Sequence, residues 1–214
     1  MFQGKTTHAA GSTSSVAISI RRVLGTLLVA GAAAVLVVLP AWASEPSKLI
    51  ASMSTEIVEI VKTKTGADRK AAMRRLVLEH FDLPYMARAA LGTRWNQVSE
   101  QQRARFIAAV EASETLAYGE RLGRYASYTL TTGRVTSRPN GVWIVDSRLK
   151  RTGGDSTRIE WEVHDSGRGL RITDVKVEGV SLSTIMRSDF NAYIQGNVGE
   201  VEPLVRELEA RAAR

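Results

Sequence analysis

Residues 127–178, SYTLTTGRVTSRPNGVWIVDSRLKRTGGDSTRIEWEVHDSGRGLRITDVKVE, contain four strand-like runs rich in β-branched and apolar residues. Three short turn sequences separate these runs: Pro139-Asn-Gly141, Gly153-Gly-Asp155 and Ser166-Gly-Arg-Gly169. Parallel pairing needs long crossover connections, so three short returns in succession predict a four-stranded antiparallel meander.

The fourth run departs from simple alternation of apolar and polar residues. Leu170 and Ile172 share one parity, whereas Val175 and Val177 share the other. A one-residue slip at 173–174 would return both pairs to one face of the sheet. The sequence therefore predicts a β-bulge there, and because bulges bend strands it predicts a curved sheet.

Helical periodicity flanks the strands on both sides. The second of these helices is predicted to be capped by Asp68, and Ser99 with Gln102 has the sequence of a capping box. With no internal repeat or long linker, the pattern predicts one α+β domain in which the sheet packs against several helices. The predicted helices span 46–65, 68–81, 84–91, 99–125, 182–196 and 201–208.

Helix 99–125 carries two apolar stripes about 100° apart. Phe106 and Val110 belong to one stripe, and Tyr118 and Leu122 belong to the other. This pattern indicates a helix buried on two sides, or one that bends near Gly119. Two-sided burial fits a central core helix, and it also fits a helix that packs on the sheet and lines a cavity.

The N-terminal segment has the features of a secretory signal. Arg21-Arg22 precede an apolar run of seventeen residues, 23–39, and Ala41-Trp-Ala43 supplies a small-x-small cleavage site. We therefore expect a signal peptide over 1–43, a mature domain over 44–214 and export, with a retained membrane anchor as the alternative. The mature charges alternate in sign, which argues against a nucleic-acid partner.

The composition excludes much enzyme chemistry. There is no cysteine, and the three histidines are not spaced as metal ligands. The sequence has no nucleophile elbow, phosphate-binding loop or dinucleotide fingerprint. We therefore predict no catalytic residue, no metal and no cofactor, with His80 packed and His164 facing solvent.

One block of sequence carries a family resemblance. Asp174-Val-Lys-Val-Glu-Gly-Val-Ser-Leu182, followed by Arg187-Ser-Asp-Phe190, resembles the D-V-x-x-E-G-V-S-L … R-S-x-F signature of the MlaC family, also called the toluene-tolerance family. The order of residues from Phe81 to Phe106 is also similar. Leu170 and Met186 depart from the usual residues, which leaves open the HpnM branch that accompanies hopanoid synthesis.

The resemblance implies a soluble, non-catalytic periplasmic carrier. Family members hold acyl chains in an apolar cavity between a curved sheet and helices, and they exchange lipid with membrane complexes. The expected partners are thus a phospholipid or a hopanoid, an inner-membrane ABC transporter complex and an outer-membrane complex, in a pathway that maintains outer-membrane lipid asymmetry.

On this basis we hypothesise which apolar residues line the cavity. Arg187 is expected to meet a lipid head group or to pair with Glu178 or Asp174. The hypothesised lining residues are Phe81, Met86, Leu91, Trp95, Phe106, Val110, Tyr118, Leu122, Val145, Trp161, Val175, Val177 and Val180.

Two other interpretations of the same sequence stay open. The first is an exported enzyme on an NTF2-like α+β fold, with a carboxylate such as Asp146 or Asp174 working in a pocket. The second is a structural adaptor with a closed core and no ligand.

Overall fold

A four-stranded antiparallel meander forms the centre of the computed structural model, which describes residues 45–151 and 153–213. Its strands pair strictly in chain order, as predicted. A two-residue strand, β5, extends the edge beyond β4, because positive φ angles at Glu178 (48°) and Gly179 (83°) return the chain at once. The strands are β1 (Thr129–Arg138), β2 (Val142–Lys150), β3 (Ser156–Asp165), β4 (Leu170–Val177) and β5 (Val180–Ser181).

The predicted bulge in β4 is confirmed. Glu162 pairs with Asp174 and Val163 pairs with Ile172, so Thr173 is the extra residue. A second, unpredicted register shift lies in β1, between Thr132 and Val135. Its signal was Gly133 within an otherwise strand-like run, since glycine inside a strand often marks a bulge.

Helices precede and follow the sheet in the predicted order. A short 3-10 turn, Gly92–Asn96, lies between the third and fourth helices. The predicted signal peptide, 1–43, lies outside the described residues. The helices are α1 (Glu45–Thr63), α2 (Gly66–His80), α3 (Leu83–Leu91), α4 (Glu100–Arg124), α5 (Leu182–Gly196) and α6 (Glu202–Ala212).

Two of the predicted helix starts had opposite outcomes. The capping box is confirmed: the amide of Gln102 donates to Ser99 Oγ at 3.2 Å, and the amide of Ser99 donates to Gln102 Oε1 at 3.1 Å. The cap at Asp68 is wrong, because α2 already begins at Gly66, where φ is +51°. Glycine reaches this left-handed region at no steric cost, so the helix starts without a side-chain cap.

The core lies between the helices and one face of the sheet. α4 runs through this core and is buried on two sides, as its two stripes indicated. Phe106 meets Phe190 of α5 edge-on, with ring centroids 5.8 Å apart. On the other side Tyr118 meets Phe81, at 5.0 Å. The opposite face of the sheet carries charged residues such as Arg158, which faces solvent.

Candidate functional site

An apolar cleft separates α1 and the C-terminal end of α4 from the sheet. Each of the four long strands contributes to the cleft lining the residues that it carries near one end of the meander. The enclosed volume is about 110 Å³. The residues that line it are Met53, Ser54, Ile57, Val58, Leu122, Tyr125, Ala126, Tyr128, Leu130, Leu149, Thr157, Ile159, Trp161 and Val177.

The floor of the cleft is an ordered apolar surface. Ile159 and Trp161 are both buried on the helix-facing side of β3. The indole Nε1 of Trp161 donates to Oγ of Ser147 at 2.8 Å, and this hydroxyl donates to the carbonyl of Ile159 at 3.2 Å. Because the polar atom of the indole is satisfied on β2, Trp161 presents hydrocarbon to the cleft.

The few polar groups in the mainly apolar lining of the cleft are uncharged. Tyr125 and Tyr128 stand at the junction of α4 and β1, with their rings in an edge-to-face contact at 5.3 Å. Ser54 and Thr157 add two hydroxyl groups, and none of the described residues that line the cleft is charged. The cleft is therefore suited to hydrocarbon and not to an ion.

The structure distributes the hypothesised lining residues over three places. Leu122, Trp161 and Val177 line the cleft. Trp95 belongs to the 3-10 turn Gly92–Asn96 and is half-buried against the edge of the core, and Val180 is 55% exposed at the end of the sheet. The remaining eight are buried in the core: Phe81, Met86, Leu91, Phe106, Val110, Tyr118, Val145 and Val175.

Arg187 is not paired with the carboxylates named for it. Its Nη2 lies 3.0 Å from the position that a Cβ on Gly92 would occupy. Asp174 instead accepts hydrogen bonds from the amides of Val175 and Ser183, and Glu178 accepts one from the amide of Arg158. The head-group role of Arg187 stays a prediction.

Sequence reasoning missed most of the cleft wall, although signals were present. Met53 and Ile57 belong to the apolar stripe of α1, which the periodicity showed but which any core helix would share. Leu149 has the same parity on β2 as the buried Val145. Which of these inward-facing residues line the cleft depends on the position of α1 relative to the sheet. The local sequence pattern does not contain that information.

The titratable groups considered for catalysis have structural partners. Asp146 bonds to Arg158, with 2.8 Å between Oδ1 and Nη2. His164 was expected to face solvent, and this is wrong, because its Nε2 lies 2.9 Å from Oδ2 of Asp82. The packed environment predicted for His80 is confirmed, since it is buried with its Nε2 3.3 Å from a carboxylate oxygen of Glu56. None of these groups lines the cleft.

Neither a metal centre nor a membrane span is found within 45–151 and 153–213. No three His, Asp or Glu side chains converge there in a way that could hold a metal ion. No helix of that part combines the length and the apolar character needed to cross a bilayer.

A second groove, with a volume of about 640 Å³, runs between α4 and α5 and contains a partly buried carboxyl group. Burial raises the pKa of Glu114, attraction to Arg121 and Arg211 offsets part of this rise, and repulsion from Asp189 adds to it. Burial also raises the pKa of Tyr118, whose phenol thus stays neutral. This groove mixes charged and apolar groups, unlike the cleft.

Comparison of the sequence with protein-family models gives a match to the MlaC protein family over residues 51–210. The matched part is about three-quarters of the chain. The chain belongs to the MlaC family.

A solved structure shares the fold of this MlaC-family chain. It is the phospholipid-binding protein from Ralstonia solanacearum, solved in complex with a phospholipid. The TM-score is 0.66 at 17% sequence identity, and the match covers 78% of this chain and 96% of that one. A comparison with curated proteins gives no match.

The block that carries the MlaC-family signature builds the junction between β4 and α5. Asp174 Oδ1 accepts hydrogen bonds from Val175 and Ser183, at 2.8 and 3.0 Å, and so connects the strand to the helix start. Ser181 Oγ caps α5 by accepting from the amide of Thr184 at 3.0 Å. Of this block only Val177 reaches the cleft. The signature therefore reports the architecture around the cleft more than its lining.

Proposed function

We propose that this chain is a non-catalytic lipid carrier of the periplasm that holds the acyl chains of a phospholipid, or the hydrocarbon of a hopanoid, in the apolar cleft. The observation that carries the proposal is the cleft itself, a hydrocarbon-lined gap between α1, α4 and the sheet without a charged group. The phospholipid in the Ralstonia solanacearum structure supports the same assignment on the same fold.

Burial of hydrocarbon supplies the free energy of binding. Each buried methylene is worth about 0.8 kcal/mol, so a 16-carbon chain gains on the order of 12 kcal/mol relative to water. A bilayer offers the chain the same gain. Transfer between membrane and carrier is therefore close to balanced, which a carrier that both loads and unloads requires.

The cleft must widen when a lipid enters. Its volume of about 110 Å³ is below the roughly 300–1,000 Å³ of ordinary ligand sites. We propose that α1 is the wall that moves, because it forms one side of the cleft and is not part of the sheet. Outward movement of α1 separates Met53 and Ile57 from Trp161 and makes room without disturbing the strand pairing.

The charge distribution favours a position of the polar end of the lipid outside the cleft. A phosphate inside a cleft that offers only the hydroxyl groups of Ser54, Tyr125, Tyr128 and Thr157 would lose hydration without gaining a counter-charge. The head group thus stays in solvent at the cleft mouth, where a membrane complex can reach it. In this proposal the donor and acceptor are the inner-membrane ABC transporter complex and an outer-membrane complex, reached after export by the predicted signal peptide.

The two rival functions have less support. An enzyme would need a reactive group in the cleft, whereas Asp146 and Asp174 lie outside it in hydrogen bonds to Arg158 and to backbone amides. An adaptor with a closed core would have no apolar gap beside Trp161. The cleft therefore favours the carrier.

Native mass spectrometry of protein purified from the periplasm without detergent tests the proposal. We expect an adduct of lipid mass, and extraction would identify it as phospholipid or hopanoid. A mass that stays bare after incubation with phospholipid vesicles would contradict lipid carriage.

Tryptophan quenching tests the location of the lipid. The chain has four tryptophans, so variants that retain only Trp161 or only Trp95 report on two different places. After loading with a phospholipid brominated on its acyl chains and removal of the vesicles, Trp161 fluorescence should fall and Trp95 fluorescence should not. Equal quenching of both, or of neither, would show that the acyl chains lie elsewhere.

A further inference from the structure

Four arginines lie in or around the 3-10 turn Gly92–Asn96, and we call them the arginine patch. They are Arg88 of α3, Arg94 of the turn itself, Arg103 of α4 and Arg187 of α5. Two of them approach the ring of Trp95, with Cζ of Arg88 5.9 Å and Cζ of Arg103 5.3 Å from its centroid. A shallow hollow of about 320 Å³ opens beside them.

The guanidinium groups are positioned by neutral partners. Arg103 Nε donates to the carbonyl of Trp95 at 2.9 Å, and Arg94 Nη1 donates to Oδ1 of Asn191. The guanidinium group of Arg187 lies beside Gly92, next to the space that a side chain at this position would occupy. These contacts orient the side chains and leave their charge uncompensated.

No carboxylate within 45–151 and 153–213 forms an ion pair with the arginine patch. Other arginines of the chain are neutralised: Arg105 pairs with Glu202 and Glu209, and Arg158 pairs with Asp146 and Glu160. Four unneutralised charges around one turn create a positive potential that attracts anions. Guanidinium groups bind phosphate particularly well, because their paired N–H donors match its oxygens.

We infer that the arginine patch docks the protein on the surface of an anionic phospholipid bilayer. The inference rests on the proposed function in one respect, which is that a lipid carrier works next to a membrane. The phosphates of the bilayer are the ligands, and Tyr85, 48% exposed at the edge of the hollow, is the aromatic group that enters the head-group layer.

The chemistry of the patch favours a bilayer over an acidic protein. Protein interfaces derive most of their affinity from a few aromatic and arginine anchors that are fully desolvated in pockets near the centre. Here the ring of Trp95 is already covered by Arg88 and Arg103, and Tyr85 alone among the described residues of the hollow is a strongly exposed large apolar side chain. A bilayer needs no such anchor, because its attraction for basic residues adds up charge by charge.

The docking surface is separate from the cleft. Arg103 and Leu122 lie nineteen residues apart on α4, which corresponds to about 28 Å along the helix axis. Arg103 thus contacts head groups of the bilayer and not the head group of a lipid held in the cleft. A protein docked in this way keeps the cleft mouth available to a membrane complex.

Co-sedimentation with lipid vesicles tests the inference. We expect binding to vesicles of phosphatidylcholine and phosphatidylglycerol in a 70:30 ratio, little binding to pure phosphatidylcholine, and release at high salt. Each lost arginine should weaken binding roughly fivefold, so Arg88→Gln with Arg103→Gln should weaken it about 25-fold. The control, Arg74→Gln with Arg75→Gln, removes two exposed charges from α2 and should change binding far less.

Two results would overturn the inference. Equal binding to both kinds of vesicle, or binding to neither, would show that the patch does not recognise the anionic phospholipids of a bilayer. Equal loss in the patch and control variants would show that net charge alone is responsible. Native mass spectra distinguish failure of this inference from failure of the proposed function. The patch variant should still show lipid adducts, because its substitutions lie outside the cleft.

Discussion

The indole of Trp161 on β3 is held by the hydroxyl of Ser147 on β2, with 2.8 Å between Nε1 and Oγ. Both groups are buried, and the hydroxyl also reaches the carbonyl of Ile159. This pair satisfies the polar atom of the largest side chain in the cleft from within the sheet. The face that a lipid would contact is thereby left apolar.

Replacing Ser147 by alanine should destabilise the protein by about 1–3 kcal/mol, since it leaves the buried indole N–H without an acceptor. Urea unfolding followed by circular dichroism measures this change. Ser147→Thr keeps the hydroxyl and should stay closer to the unsubstituted protein. Equal stability of the alanine variant would mean that the hydrogen bond contributes nothing.

A charge at the cleft wall should abolish lipid loading without unfolding the protein. Leu122 is half-buried in the cleft, so Leu122→Glu places a carboxylate against the hydrocarbon of the ligand, and we expect lipid adducts to fall at least tenfold. Leu78→Glu is the matched control, because Leu78 is 41% exposed near the end of α2. Normal loading of a folded Leu122→Glu protein would remove the cleft from the proposed function.

Gly92→Ala should destabilise the protein by about 1–3 kcal/mol, because Gly92 has φ of +57° and a methyl group there would meet Arg187 Nη2 at 3.0 Å. Gly167 also has positive φ, but a Cβ there would have open space around it. Gly167→Ala therefore measures the backbone strain alone. In an Arg187→Ala background, the loss of stability caused by Gly92→Ala should fall towards that caused by Gly167→Ala. If the loss is the same with and without Arg187, the contact between residue 92 and Arg187 is excluded as its cause.

The stability of the protein should depend on the ionisation of Glu114. Burial raises the pKa of this group in the folded state, so the folded protein holds the proton more tightly than the unfolded chain, and ionisation destabilises it. Stability relative to Glu114→Gln should thus fall as pH rises from about 4, the usual pKa range of glutamate, towards neutrality. Denaturation midpoints at several pH values measure this difference.

The control for that measurement is Glu120→Gln, which removes an exposed carboxylate from the same helix. Its midpoint should follow that of the unsubstituted protein at all pH values. Parallel curves for Glu114→Gln and the unsubstituted protein would show that burial of Glu114 has no energetic consequence.

Local patterns predicted the elements well because their causes are local. The turn sequences specified an antiparallel meander, the parity change in 170–178 located the extra residue at Thr173, and the hydroxyl of Ser99 marked the start of α4. The miss at Asp68 also has a local cause, since Gly66 allowed α2 to begin earlier. In each case neighbouring residues contain the deciding interaction.

The placement of the site residues followed a different rule. Val110 and Leu122 both belong to apolar stripes of α4, yet one is sealed in the core and the other lines the cleft. Periodicity reports which residues avoid water, and core and cavity walls do so equally. Only the distance between α1 and the sheet separates the two groups.

The sequence by itself determined the order of helices and strands, the bulge in β4 and the absence of familiar catalytic motifs, because periodicity, turn residues and composition act over a few neighbouring positions. The tertiary structure decided where the apolar surfaces fail to close and which arginines stand together without a carboxylate. Both depend on residues far apart in the chain, as when Arg88 and Arg187 come to flank one turn. Packing of whole elements, and not local preference, creates that proximity.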